Sequence, residues 1–196
     1  MKVEDLAHRI DAVVARRATR LIAVDGWGGA GKSRLATELE KRLPSVTVVH
    51  TDDFAGPNQP GWDWQRFSHE VLDPLLADRP AQFQRYDWTR DQLGEWQQVP
   101  TGGTVIVEGI SSSRQELGQV WDLVIWVECS QELRLRRGVE RDGEVLRWKW
   151  ETVWMPEEEA YVRTQDPIGR ANIVVDGSDA HFYESGGLPA ADGVKA

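Results

Sequence analysis

Five short apolar runs punctuate the chain: Leu21–Val24, Val46–His50, Thr104–Val107, Leu123–Val127 and Ile173–Val175. Each is too short for a helix and rich in Val and Ile, as buried strands are. The segments between them are polar or periodic and long enough for crossover helices. That alternation predicts an α/β fold, a five-stranded parallel sheet covered by helices on both faces. Ahead of the first run, residues 3–18 predict a short amphipathic helix with Leu6, Ile10, Val13 and Val14 on one face. Beyond it, Leu35, Leu39 and Leu43 recur at helical spacing until Pro44 stops the pattern. There is no internal repeat and no low-complexity stretch. The glycines, Pro189 and charges near the end predict a loosely ordered tail over 178–196, leaving 1–177 as one domain.

The first strand runs directly into Gly26-Trp-Gly-Gly-Ala-Gly-Lys-Ser33, and the Leu35 helix follows at once. This is the pattern of a phosphate-binding loop, found between a strand and a helix where the chemistry requires it. Glycines let backbone N–H groups close around phosphate oxygens, and the helix N-terminus adds partial positive charge. Gly26, Gly28, Gly29, Ala30, Gly31, Lys32 and Ser33, with Arg34 in the first helical turn, form the expected nucleotide-binding set. Lys32 would reach the β- and γ-phosphates, and the Ser33 hydroxyl would ligate Mg²⁺. The predicted fold is therefore the P-loop NTPase three-layer sandwich.

In open α/β sheets ligands sit beyond the carboxyl ends of the strands. The second strand ends in Asp52 and Asp53, the third in Glu108. These carboxylates beside a phosphate loop make a balanced site only if a divalent cation joins them, which Mg²⁺–ATP supplies. Taken singly, Asp53 could instead cap the next segment and Glu108 could be an ordinary strand-end carboxylate; together these alternatives carry much less weight. After the fourth strand, Arg134, Arg137 and Arg141 share a helical face. They predict a phosphate-covering lid over about 131–147, the alternative being a solvated basic face.

Composition narrows the partners. Over 196 residues the net charge is −9 and the pI is near 5.0, so nucleic acid is not an expected partner and phosphate affinity must be local. The one cysteine, Cys129, excludes an intramolecular disulfide and a cysteine metal cluster, which suits a reducing cytoplasm. Glu4, Asp5 and Asp11 interrupt the N-terminal apolar residues, so neither a signal segment nor a membrane span is expected.

The ordered set of motifs resembles the uridine kinases. It comprises the phosphate loop, Asp52-Asp-Phe54, Arg85-Tyr-Asp-Trp88, Val107-Glu-Gly-Ile110, Arg134–Asp142, Met155-Pro-Glu-Glu-Glu159 and Ala171-Asn-Ile-Val-Val175. The wider group includes phosphoribulokinase and pantothenate kinase, and the resemblance spans about residues 20–177. It implies that Asp52 is the catalytic base, Lys32 and Arg137 act on the phosphoryl group, and Arg141 covers the phosphates. It implies Ser33, Glu108 and Asp52 as Mg²⁺ ligands, and Asp53, Asp63 and Tyr86 as acceptor-binding residues. One departure matters. Where uridine kinases carry a His and an Arg that recognise the pyrimidine, Tyr86-Asp-Trp-Thr-Arg-Asp-Gln-Leu93 has no histidine, and Arg90 is out of register.

Trp62, Trp64, Trp88 and Trp96 flank the segments expected to form the acceptor pocket, where they could stack on a flat group or simply pack the inserted helices. The resulting expectation is transfer of the ATP γ-phosphoryl to a hydroxyl of a nucleoside-like small molecule. The alternatives are a non-nucleoside acceptor (vitamin precursor, sugar phosphate or antibiotic) or a nucleotide-binding sensor. A GTPase-type switch lacks support, because there is no Asn-Lys-x-Asp.

Overall fold

The computed structural model describes residues 1–56, 61–87 and 89–178. The five apolar runs become β1 (Arg20–Gly26), β2 (Val46–His50), β5 (Thr104–Glu108), β6 (Leu123–Glu128) and β7 (Ile173–Asp176). They form one parallel sheet in the order β2-β5-β1-β6-β7. Its register aligns the strand ends: Val24 lies opposite Glu108 on one side and Ile125 on the other, and His50 opposite Glu108. The polar residues that terminate β2 and β5 therefore share one edge with the loop after β1.

Alternation along β1 divides the core in two. Ile22 and Val24 face α1 (Val3–Asp11) and α2 (Lys32–Glu40), packing with Leu6, Ile10, Leu35 and Leu39. Leu21 and Ala23 face the opposite layer. There, α3 (Trp64–Phe67) runs through a π-helical turn (Ser68–Leu72) into α4 (Asp73–Leu76). Phe67, Val71 and Leu75, four apart, point inward from that continuous helix. The expected first helix ends early, at Asp11, and Val14 is 89% exposed rather than on the packed face.

One expectation fails outright. Residues 81–99 are not a helical crossover but an antiparallel hairpin of β3 (Ala81–Asp87) and β4 (Gln92–Val99). Ala81, Phe83 and Val99 are buried while most of β4 is exposed, so the hairpin has one thin apolar face and no apolar run to announce it.

After β6, Ser130 accepts a hydrogen bond from Leu133 N–H (3.4 Å) and starts α5 (Gln131–Asp142). The short helix α6 (Arg147–Lys149) and a π-helical turn (Trp150–Trp154) lead into α7 (Met155–Gln165). Asp166, with φ 45°, ends α7 and accepts from Gly169 N–H (3.1 Å) to begin α8 (Pro167–Arg170). The expected lid is thus a regular helix followed by turns. The tail expected to be loose lies, from 179 onward, outside the described residues. Among the described residues no helix is long and apolar enough to cross a membrane.

β1 delivers Asp25, fully buried, to the head of the loop. Its Oδ1 accepts from Gly26 N–H (2.7 Å) and Ser111 N–H (2.9 Å). Its Oδ2 accepts from Ser113 N–H (3.0 Å), Ser113 Oγ (2.6 Å) and Tyr161 Oη (2.6 Å). Removing a buried charge that several donors share leaves those donors unsatisfied. Asp25→Ala should therefore cost about 3 kcal/mol or more of stability. Ser113→Ala, which removes one hydroxyl, should cost about 1 kcal/mol. Urea denaturation measures both, and an Asp25→Ala loss no larger than that of Ser113→Ala would refute the hub.

Candidate active site

A cleft of about 1000 Å³ opens at the carboxyl ends of β1, β2 and β5. The loop forms its floor. Gly31, at φ 100°, caps α2, and Gly28, Gly29, Gly31, Lys32, Ser33 and Arg34 all line the cleft. Gly26 and Ala30 do not: both are buried behind the loop, Ala30 in the core beside α2. At Gly29 (φ 74°) a Cβ would lie 2.7 Å from the Arg134 carbonyl oxygen, so only glycine lets α5 sit this close.

Lys32 is largely buried, and its Nζ donates to the Trp27 carbonyl (2.8 Å) across the loop. Beside it, the Ser33 hydroxyl hydrogen-bonds the Glu108 carboxylate. Glu108 Oε1 is also 2.5 Å from His50 Nδ1. Burial alone would raise the Glu108 pKa, but His50, the Lys32 charge and Ser33 together hold it below the usual carboxylate value. His50 moves the other way, raised chiefly by its bond to Glu108. Asp52 is exposed on the cleft wall, whereas its neighbour Asp53 is half-buried and does not line the cleft. Burial is the main cause of Asp53's raised pKa, opposed by the charges of His50 and Arg85.

These residues fit a magnesium nucleotide. Ser33 and a charged, buried Glu108 are adjacent, and Asp52 lines the same cleft. Among the described residues no three His, Cys, Asp or Glu side chains cluster closely enough to hold a metal unaided. That suits Mg²⁺, which is usually bound through one or two carboxylates, phosphate oxygens and water rather than by an all-protein cage.

Of the predicted arginines, Arg137 and Arg141 line the cleft but are engaged elsewhere. Arg137 Nη1 donates to the carbonyls of Gly29 (3.4 Å) and Gly177 (2.7 Å), and Nη2 to that of Ser178 (3.0 Å). Arg141 pairs with Asp142 at 2.7 Å. Arg134, expected on the same phosphate-covering face, is buried instead, with its guanidinium 4.2 Å from the centre of the Trp27 ring.

The acceptor residues expected from sequence do not gather here. Asp63 caps α3, accepting from Arg66 N–H (2.9 Å). Tyr86 lies on the hairpin and hydrogen-bonds Asp91. Neither lines the cleft. Trp88 falls outside the described residues. Trp96 is exposed on β4, and Trp64 carries the Arg114 guanidinium over its ring. Trp62 does reach the cleft, held by its Nε1 bond to Ser111 Oγ (2.9 Å).

The opposite wall comes from α7 and the turn before it: Trp154, Glu157, Glu158, Tyr161 and Gln165. Of these, 154, 158, 161 and 165 follow helical periodicity, a signal present in the chain that defines a shared face without saying what it faces. Glu158 reaches the loop itself, where its Oε2 accepts from Gly28 N–H (3.0 Å). Burial raises its pKa, with the Gly28 hydrogen bond, Lys32 and Arg134 pulling the other way. Asp25 and His50 were likewise not expected. A lone acid inside a strand and a histidine at its end have no periodic signature.

Residues 22–153 match the family model described as an AAA domain. The chain is 25% identical over 139 residues to a uridine kinase of Halobacterium salinarum, a match covering 62% of this chain and 61% of that protein. It is 24% identical over 146 residues to a uridine kinase of Streptococcus mutans, covering 65% and 69%. A solved structure described as a possible uridine kinase from Bacillus stearothermophilus superposes with a TM-score of 0.67 at 22% identity, covering 88% of this chain and 96% of that one. This likeness carries the fold; the chain spans 61% of the length of the Halobacterium relative.

The close approach of α5 to the loop makes Gly29 a sensitive position. Gly29→Ala should cost about 1–2 kcal/mol from its left-handed φ alone, and the contact with the Arg134 carbonyl adds to it. A thermal melt should fall by several degrees, and an unchanged melt would mean that the loop and α5 are not packed as described.

Proposed function

We propose that this chain, which belongs to the AAA-domain family of P-loop proteins and is similar to uridine kinases, transfers the γ-phosphoryl group of ATP to a hydroxyl of a nucleoside-like small molecule. The observation that carries this reading is the convergence of Lys32, Ser33, Asp52 and Glu108 on one cleft. Its walls are partly aromatic, through Trp62 and Trp154, as suits a small organic acceptor.

In this reading the loop amides and Lys32 hold the phosphates, Lys32 exchanging the Trp27 carbonyl for phosphoryl oxygens. Ser33, Glu108 and Asp52 would hold Mg²⁺, which supplies charge neutralisation when bound. Asp52, exposed to the cleft, accepts the proton of the acceptor hydroxyl as it attacks. Arg141 lies within reach of developing phosphoryl charge once it leaves Asp142. Arg137 contributes less directly, by holding the Gly29 carbonyl and hence the shape of the loop.

A pyrimidine is not the acceptor these residues favour. The histidine that would read it is missing, and Asp63 and Tyr86 are spent on a helix cap and a hairpin contact. A site lacking a hydrogen-bond partner for the base discriminates poorly.

The two acids at the end of β2 separate by mutation. Asp52→Asn should lower turnover by about a hundredfold or more, in line with general-base contributions, with ATP affinity much less affected. A larger loss in Asp53→Asn would make that residue the base. Lys32→Ala should abolish both turnover and measurable ATP binding while the fold survives. A folded Lys32→Ala protein with near-normal activity would overturn the reading.

The acceptor is found by measuring ATP consumption across nucleosides, vitamin precursors, sugar phosphates and antibiotics. Uridine and cytidine should be poor substrates. Uridine phosphorylation with kcat/KM of about 10⁴ M⁻¹s⁻¹ or higher would make the missing histidine immaterial. ATP binding with no consumption across the panel would favour the sensor alternative.

A further inference from the structure

The Glu158 contact with the loop is an incomplete one. Glu158 and Arg134 are 5% and 3% exposed. Burying two charges is favourable only when both are fully hydrogen-bonded. Here they are not. Glu158 Oε2 is 3.0 Å from Gly28 N but 3.5 Å from Arg134 Nη2. Glu158 Oε1, Arg134 Nε and Arg134 Nη2 are all buried without a hydrogen-bond partner.

Those three orphans are complementary. Nε and one Nη of a guanidinium form a fork that grips a carboxylate through both oxygens. The fork of Arg134 is vacant along that side, and Glu158 has the free oxygen that would complete it. Glu158 instead leans on Gly28, its Oε1 only 2.5 Å from where a Cβ of residue 28 would stand. An anion therefore sits on a backbone N–H of a loop whose amides exist to bind anions.

We propose that Glu158 is a two-position carboxylate: in the free protein it occupies the Gly28 amide in place of a phosphoryl oxygen, and incoming polyphosphate displaces it onto the Arg134 fork. The exchange gives Gly28 N–H to the phosphate and satisfies all three orphaned atoms at once. Glu158 belongs to α7 and Arg134 to α5. Loading of the loop is thereby transmitted to the helix whose Trp154-to-Gln165 face forms the far wall of the cleft, and to the helix that carries Arg137 and Arg141. Burial raises the Glu158 pKa, as expected for a carboxylate held in an unfavourable position. The inference rests on phosphate binding at the loop but not on the identity of the acceptor.

The test is calorimetric titration of ATP and of tripolyphosphate, which lacks the nucleoside, into wild type, Glu158→Gln, Arg134→Gln and the double variant, with thermal melts alongside. Glu158→Gln keeps the shape but removes the competing charge, so both ligands should bind about tenfold tighter, the size of an ordinary coupling. Arg134→Gln removes the alternative seat for the carboxylate, so both should bind about tenfold weaker. The double variant should recover most of that loss. A merely structural pair would lower the melts and weaken binding in both single variants. Equal or weaker binding in Glu158→Gln overturns the proposal, even if Arg134→Gln fails to fold. Absence of binding of either ligand to the wild-type protein would instead refute phosphate binding at the loop, and with it both readings.

Discussion

The Asp25 carboxylate is the point on which three otherwise independent segments depend. It receives the first amide of the loop from Gly26, two amides and a hydroxyl from the turn after β5, and the phenol of Tyr161 from α7. Hydrogen bonds to an ionised group are stronger and shorter than neutral ones. With no exposure to water, Asp25 has no alternative partners. The consequences extend outward. Ser111, held by its amide, holds Trp62 through its hydroxyl, and Trp62 forms part of the cleft wall. Tyr161, whose pKa is raised by burial and then by the Asp25 charge, stays protonated and so remains a donor. One strand-end acid thus sets the loop, one side wall and the opposing helix relative to one another.

The second constraint is closeness. The loop is not an open cradle but is covered by α5 and α7, at distances that only glycine permits. Gly28 lies under Glu158 and the Trp150 ring, Gly29 under the backbone of Arg134, and Gly138 of α5 under the same Trp150 ring. Trp150 is buried with Val139 and Met155 in a small third core that joins α5 to α7. Glycines usually credited to phosphate binding therefore also serve helix packing here. Both demands fall on the same residues because the surface that faces phosphate is continuous with the one that faces the helices.

Much of this architecture was legible in the chain. Strands buried on both faces must be continuously apolar, and all five such runs proved to be strands of the one sheet. The phosphate loop was legible because its spacing is fixed by backbone geometry. The hairpin was not, since most of Gln92–Val99 is exposed and it has little to bury beyond Val99. Lys32, Ser33, Asp52 and Glu108, expected on the nucleotide side, meet in one cleft. Asp63 and Tyr86, expected on the acceptor side, do not line it. Resemblance pointed to Asp63 and Tyr86, which lie on segments inserted between β2 and β5, where register against a relative is easily lost. The residues that do line the wall come from α7, and their spacing would have identified a shared face but not which face.

The proposed binding of ATP has to be reconciled with the acidity of the protein. Over the whole chain acids outnumber bases by nine, so long-range steering works against ATP. Within the cleft the balance differs: Lys32, Arg34, Arg114, Arg137, Arg141 and Lys149 meet Asp52, Glu108, Glu157 and Glu158. Several of those cations already have partners, Arg114 with Glu116, Arg137 with carbonyls and Arg141 with Asp142. Attraction for phosphate must then come from short-range groups, the loop amides and Lys32, which act only once the ligand has entered. Such a site gains affinity by exchanging internal partners for phosphate oxygens rather than by exposing free charge. Lys32 resting on the Trp27 carbonyl and Glu158 resting on Gly28 N–H are contacts of the loop itself that could enter such an exchange.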